Sequence, residues 1–190
     1  MNRRTLIKLG GALALATALA PALAQDKPQN YTNKMNLEVD YIPSRPEVVE
    51  AMLKLANVKA GEKLYDLGCG DGRIVITAAK QYGLTGVGID IDPDRVAEAR
   101  ENAKKAGVAD RVKIEQGDVF KANFADADVV ALYLRRDYNQ KLRPRLLEQL
   151  KPGTRIVSHE HDFGNDWTPE KHLKVGNVDV FLWTVPAKAK

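Results

Sequence analysis

The sequence predicts an α/β fold, a Rossmann-like doubly wound sheet of seven strands, mostly parallel with an antiparallel C-terminal hairpin. Three observations predict it. Short apolar runs alternate with helical stretches over most of the chain, the rhythm of parallel strands joined by right-handed crossovers. A glycine-rich turn, Asp66-Leu67-Gly68-Cys69-Gly70-Asp71-Gly72-Arg73, stands where the first strand passes into a helix. The last two strand-like runs are separated only by Gly176-Asn177, a spacing that suits a two-residue hairpin turn.

Each element follows in order. Ser44 and Glu47 stand at capping-box spacing, Pro46 is tolerated in a first turn, and Val48, Val49, Met52, Leu53, Leu55 and Ala56 form an apolar stripe, so a helix is expected to start at Ser44. Ala60-Gly61-Glu62 is a turn and Lys63 to Leu67 the first strand. A helix from Ile74 to Tyr82 ends at Gly83, and Leu84 to Ile91 is the second strand. Pro93 begins a helix that Gly107 stops, and its alternating acids and bases mark a solvated face. Val112 to Gln116 and Asp128 to Leu134 are the third and fourth strands, the latter almost wholly apolar, as a central parallel strand should be. Tyr138 to Leu150 is a helix, Lys151-Pro152-Gly153-Thr154 a turn, and Arg155 to His159 the fifth strand. Glu160 to Trp167 is expected as a loop, and His172 to Val175 with Val178 to Val185 as the closing hairpin.

With 190 residues, 44% of them hydrophobic and 28% charged, the chain has room for one core. Residues 1–24 stand apart from it. Arg3-Arg4 precedes Leu6-Ile7-Lys8, an apolar run from Leu9 to Ala20, and Ala22-Leu23-Ala24, the layout of a cleavable secretory signal of twin-arginine type. Residues 25–40 are a polar lead-in, and 41–190 form the single domain, with export to the periplasm as the expected location and the cytoplasm as the alternative. Of the 29 basic residues, Arg3, Arg4 and Lys8 lie in the first 24 and no acid does, so the remainder carries 26 bases against 25 acids. That balance gives no support to nucleic-acid binding through bulk charge. Cys69 is the only cysteine, which excludes an internal disulfide, and the apolar run is too short to span a bilayer comfortably.

The glycine turn supplies the chemistry. Gly68, Gly70 and Gly72 allow positive φ and close approach of a ligand to the backbone, ahead of a helix start with free N–H groups. An acid two residues before G-x-G-x-G differs from the dinucleotide spacing G-x-G-x-x-G, which disfavours a nucleotide dehydrogenase. The stretch resembles the first motif of class I, seven-strand S-adenosylmethionine-dependent methyltransferases. Gly88-Ile89-Asp90-Ile91-Asp92-Pro93 resembles that superfamily's ribose-binding segment, and Gln116-Gly117-Asp118-Val119-Phe120 its adenine-binding segment. A narrower resemblance links Tyr41, Ile42, Pro43, Ser44, Val48, Val49, Met52 and Leu53 to a branch of small protein-lysine methyltransferases, in which this stretch packs over the cofactor.

The resemblance implies an enzyme that transfers a methyl group from S-adenosylmethionine to an acceptor the sequence does not identify, a protein lysine amine among the options. Asp66 is then expected to fix the loop and the cofactor's ammonium group, Gly68, Gly70 and Gly72 to admit its methionine part, and Asp90 with Ile91 to hold its ribose. Asp118 and Val119 would meet the adenine, and Tyr41 would cover the site. The N-P-P-[YF] segment of amide and exocyclic-amine methyltransferases is replaced by Leu132-Tyr133-Leu134-Arg135-Arg136, which argues against a nucleobase or glutamine amide acceptor. Tyr133 and His159 are the candidate catalytic residues at the exits of the fourth and fifth strands. His159 and His161 would share a strand face, yet without a third placed ligand no metal is expected. Arg135 and Arg136 stand ready either for an acidic acceptor or for a helix start. No nucleic-acid partner is expected, and the oligomeric state stays open. The competing reading is an exported protein that binds S-adenosylmethionine or S-adenosylhomocysteine without turnover.

Overall fold

The computed structural model describes residues 41–187, so the expected signal segment and the whole of the lead-in lie outside the described residues. The elements are α1 (Pro46–Leu55), β1 (Lys63–Leu67), α2 (Arg73–Tyr82), β2 (Thr85–Asp90), α3 (Pro93–Lys105), β3 (Val112–Gln116), β4 (Val129–Leu132), α4 (Arg136–Gln149), β5 (Arg155–His159), β6 (Lys171–Val175) and β7 (Val178–Thr184). The seven strands form one sheet in the order β3-β2-β1-β4-β5-β7-β6. β1 to β5 run parallel, and β7 slots in antiparallel between β5 and β6. The hairpin turns at Gly176, whose φ of 61° is left-handed, and Val175 faces Val178 across it.

The parity of each strand divides the interior in two, because successive side chains point to opposite faces. Leu64, Val129, Ala131 and Val157 join Val48, Met52, Ile74, Val75 and Val96 on the face covered by α1, α2 and α3. Tyr65, Leu67, Val130, Leu132 and Ile156 join Phe124, Leu142, Leu146, Phe163 and Trp183 on the face covered by α4. The carboxyl ends of β1 to β5 all lie on one edge of the sheet, where ligands of such folds bind.

Two local expectations are corrected. Ser44 does not cap α1: Arg45 holds the capping position with no side-chain bond, and Glu47 pairs with Arg45 instead. The Ser44 hydroxyl is buried and bonds to His159, a partner it would lose by turning to the helix. β4 ends at Leu132, so Tyr133 and Leu134 project beyond the strand. β5 ends at His159 as expected, and the loop after it holds one 3-10 turn, Gly164–Asp166.

Close packing of α2 on β2 yields a stability prediction. A Cβ at Gly86 would collide with the stiff Val75 side chain of α2. Gly86→Ala is expected to destabilise the protein by about 1–3 kcal/mol, read as a lower urea midpoint with an unchanged slope.

Candidate active site

The glycine turn carries three left-handed residues in five: Gly68, Gly70 and Gly72 have φ of 83°, 53° and 79°. The amides of Gly68 and Cys69 both donate to the Ile89 carbonyl, at 2.8 and 3.0 Å, which ties the turn to the end of β2. Gly72, which precedes α2, has no side chain to cap the helix. Asp66 takes over that task from below, accepting from the Val75 amide in the first turn. Its other oxygen, Oδ2, is buried with no hydrogen-bond partner. Burial above all, then the nearby carboxylates of Asp90 and Asp71, pushes the Asp66 carboxyl up to about 8.

Asp90 stands at the end of β2, with Oδ2 accepting from the Gly70 amide at 2.7 Å and Oδ1 from the Asp92 amide at 3.0 Å. Burial raises its carboxyl above the usual range. Ile91 beside it is an exposed apolar side chain. At the end of β3, Asp118 Oδ1 accepts from the Phe120 amide at 2.9 Å while Lys121 approaches Oδ2 at 3.6 Å, and Val119 packs against the α4-side core. The sheet order therefore brings Asp66 with its glycine turn, Asp90 with Ile91, and Asp118 with Val119 to three adjacent strand ends.

A strap formed by residues 41–44 crosses this edge. The Tyr41 ring lies against Gly70, where a Cβ would clash with it, and the Asp71 amide donates to its hydroxyl at 3.4 Å. Arg95 of α3 lies over the same ring, 5.1 Å from its centroid. Arg73 clamps the strap from α2: it is paired with Asp71 at 2.7 Å and donates to the Ser44 carbonyl, also at 2.7 Å. The Ser44 hydroxyl then reaches His159 Nδ1 at 2.7 Å. One short strap thus touches both the glycine turn and the end of β5.

Beyond β4 and β5 a second group assembles. The Tyr133 ring stacks on His159 with centroids 3.7 Å apart, and the Tyr133 hydroxyl donates to Glu160 Oε2 at 3.0 Å. Burial lowers His159 to about 4, so the ring is neutral near pH 7, while burial and the Glu160 carboxylate push Tyr133 up to about 12. His159 and His161 do not share a strand face, because Glu160 between them is left-handed, with φ of 64°. The His161 amide donates back to the His159 carbonyl at 2.7 Å, closing a three-residue γ-turn of the rare, strained hand. Such strain costs about 1–3 kcal/mol and persists only where neighbours hold it. Here the Glu160 amide donates to the Asp179 carbonyl at 2.7 Å, and the Ser158 hydroxyl and the Asn139 amide both donate to the His161 carbonyl, at 2.6 and 3.0 Å. Arg135 and Arg136 are paired with Asp137 and Asp162.

Sequence reasoning placed Asp66, Asp90, Asp118, Tyr133 and His159 along this edge. It missed Ser44 as the partner of His159, Arg73 as the clamp, Asn139 and the singular turn at Glu160. Only Glu160 left a signal, as a carboxylate between two histidines directly after a strand.

A buried carboxylate oxygen without a partner, a left-handed glycine cradle and an exposed apolar lip beside a half-buried acid fit an adenosyl group with a cationic tail. The strand order, the reversed β7 and this donor edge together define an S-adenosylmethionine-dependent methyltransferase of the seven-strand class. The chain belongs to the family defined by the ANTKMT methyltransferase domain, which matches residues 66–171. It is 42% identical over 152 residues to a protein-lysine N-methyltransferase of Saccharolobus islandicus, covering 77% of this chain and 94% of that one. It is 35% identical over 152 residues to the mouse adenine nucleotide translocase lysine N-methyltransferase, covering 80% of this chain and 65% of that one. Among solved structures, an RNA methyltransferase from Salinibacter ruber in complex with S-adenosyl-L-homocysteine aligns with a TM-score of 0.76 at 52% identity, covering 78% of this chain and 97% of that one. S-adenosylmethionine is the methyl donor.

The position of Asp66 fixes a pH dependence. Its carboxyl titrates near 3.8 when exposed and near 8 in the fold, so between those values folding takes up a proton and stability falls as pH rises. Asp66→Asn removes this penalty, and its melting temperature is expected to gain on the wild type progressively from pH 5 to pH 8. A constant difference across that range would place the Asp66 carboxylate in contact with a stabilising partner.

Proposed function

We propose that this enzyme methylates lysine side chains of proteins. The observation that carries the reading is the acceptor end of the sheet, where the exposed Glu160 carboxylate and the Tyr133 phenol stand beyond β4 and β5. A carboxylate at that mouth attracts an ammonium group and repels a phosphodiester. The names of the archaeal and mouse relatives agree with a lysine acceptor, whereas the Salinibacter structure is described as an RNA methyltransferase. The near balance of charge outside residues 1–24 also disfavours RNA.

Bound S-adenosylmethionine supplies a methyl group on a sulfonium that is its own leaving group. The residues of this chain therefore bind, orient and exclude water. Asp90 is suited to the ribose hydroxyls, exchanging its bond from the Gly70 amide for theirs. Asp66 offers its unpartnered oxygen to the ammonium, Asp118 its free lone pairs to the adenine amine, and Ile91 and Val119 their apolar surface to the ring. Gly68, Gly70 and Gly72 keep the cradle open to the methionine part, with the Tyr41 ring closing over Gly70. Tyr133 lines the acceptor path, and neutral His159, held by Ser44, keeps the phenol in place by stacking.

The twin-arginine pattern of residues 1–24 supports an exported form of the same enzyme. Fractionation of cells expressing the full chain is expected to yield a shortened periplasmic species, and finding only full-length cytosolic protein would overturn export.

With labelled methyl donor, transfer to poly-L-lysine and none to single-stranded RNA is the expected outcome. The reverse preference would remove the lysine reading. Asp90→Ala is expected to weaken S-adenosylhomocysteine binding at least tenfold in calorimetry, a loss of about 1.4 kcal/mol. Tyr133→Phe and His159→Ala are expected to keep that binding and lower turnover, which separates an enzyme from a protein that merely retains the cofactor.

A further inference from the structure

We propose that Glu160 is the residue that receives the cationic head of the acceptor side chain. This inference rests on the lysine reading above and assigns the contact that would make the site selective for an amine.

Position comes first. The sheet order β1-β4-β5 sets β4 between the glycine turn and the Glu160 turn, so the two turns stand about 10 Å apart, two strand spacings. Leu134, just past β4, already touches the glycine turn, since a Cβ on Gly68 would run into it. Its neighbour Tyr133 faces the other way, with its hydroxyl on Glu160. An acceptor reaching the donor edge past Tyr133 must therefore pass the Glu160 carboxylate.

Availability comes second. Among the described residues, the Tyr133 hydroxyl is the hydrogen-bond donor to that carboxylate, and no lysine or arginine is paired with it. The other acids around this end are engaged: Asp162 with Arg136, Asp137 with Arg135, and Asp179 with His172 and Lys174. Glu160 is thus the exposed anion at this end left with room for a cation.

Backbone geometry comes third. A glycine would occupy the left-handed position at 160 without strain, and three hydrogen bonds from Ser158, Asn139 and Glu160's own amide hold a glutamate there instead. Asn139 is fully buried on α4, so a polar group has been placed in the core to hold this turn. The side chain at 160 thus has a purpose that the turn alone does not require.

The test compares wild type, Glu160→Gln, Glu160→Asp and Glu160→Gly on poly-L-lysine. Calorimetry with S-adenosylhomocysteine and thermal melting accompany the kinetics. The expected result is a KM for poly-L-lysine raised at least tenfold in the Gln and Gly variants and partly restored in the Asp variant. Cofactor affinity stays within twofold, and the Gly variant melts no lower than wild type because its backbone strain is relieved. The wild-type KM is expected to rise with added salt and that of the Gln variant to rise less. Unchanged KM in the Gln and Gly variants of an enzyme that methylates poly-L-lysine overturns the inference alone, as does loss of cofactor binding in both. A wild type inactive on poly-L-lysine removes the lysine reading, and this inference with it.

Discussion

Between Leu67 and Arg73 the chain must leave a buried strand and enter a helix in five residues, three of them left-handed. That requirement organises the molecule. Only glycine adopts such a path without a steric penalty, and the path strips the incoming helix of a capping side chain. Asp66, one turn below, supplies the missing acceptor at the cost of burying a carboxyl whose second oxygen finds nothing to bind. The turn also faces its amides toward Asp90 and the Tyr41 hydroxyl, which tie it to the end of β2 and to the strap.

The acceptor edge is built on a different principle. Its groups are fixed by aromatic stacking and by a strained turn rather than by flexible glycine. Tyr133 and His159 stack closely, Ser44 holds the imidazole from one side, and Asn139 and Ser158 hold the carbonyl of His161. None of these groups carries charge near pH 7, since His159 is lowered to about 4 and Tyr133 raised to about 12. The exposed Glu160 carboxylate is left as the formal charge among them.

Most of the fold was legible because periodicity and turn chemistry agree along the chain. β1, β3 and β5 begin and end where their apolar runs do, and Pro93, Gly83 and Gly107 punctuate α2 and α3 as expected. The donor edge was legible because glycine spacing and strand-end acids are local signals. The resemblance also set Tyr41 over the glycine turn and Tyr133 with His159 at their strand exits, but the contacts that hold the strap and this second group were not legible, because they are long-range. Ser44 reads as a helix cap until His159, 115 residues away, comes within 2.7 Å of it. Asn139 reads as an ordinary helix residue until Ser158 and His161 arrive, and no pattern of residue types announces a left-handed Glu160.

The strap is attached in two chemically different ways. Arg73 grips it through the Ser44 carbonyl, a group every residue possesses, whereas His159 grips it through the Ser44 hydroxyl, which few residues could supply. The anchorage to the donor half is thus indifferent to mutation at position 44, and the anchorage to the acceptor half is sensitive to it. A hydroxyl-less residue at position 44 would therefore free the imidazole at the end of β5 while the guanidinium of α2 kept its hold on the strap, so the two halves of the edge are separable by a single side chain.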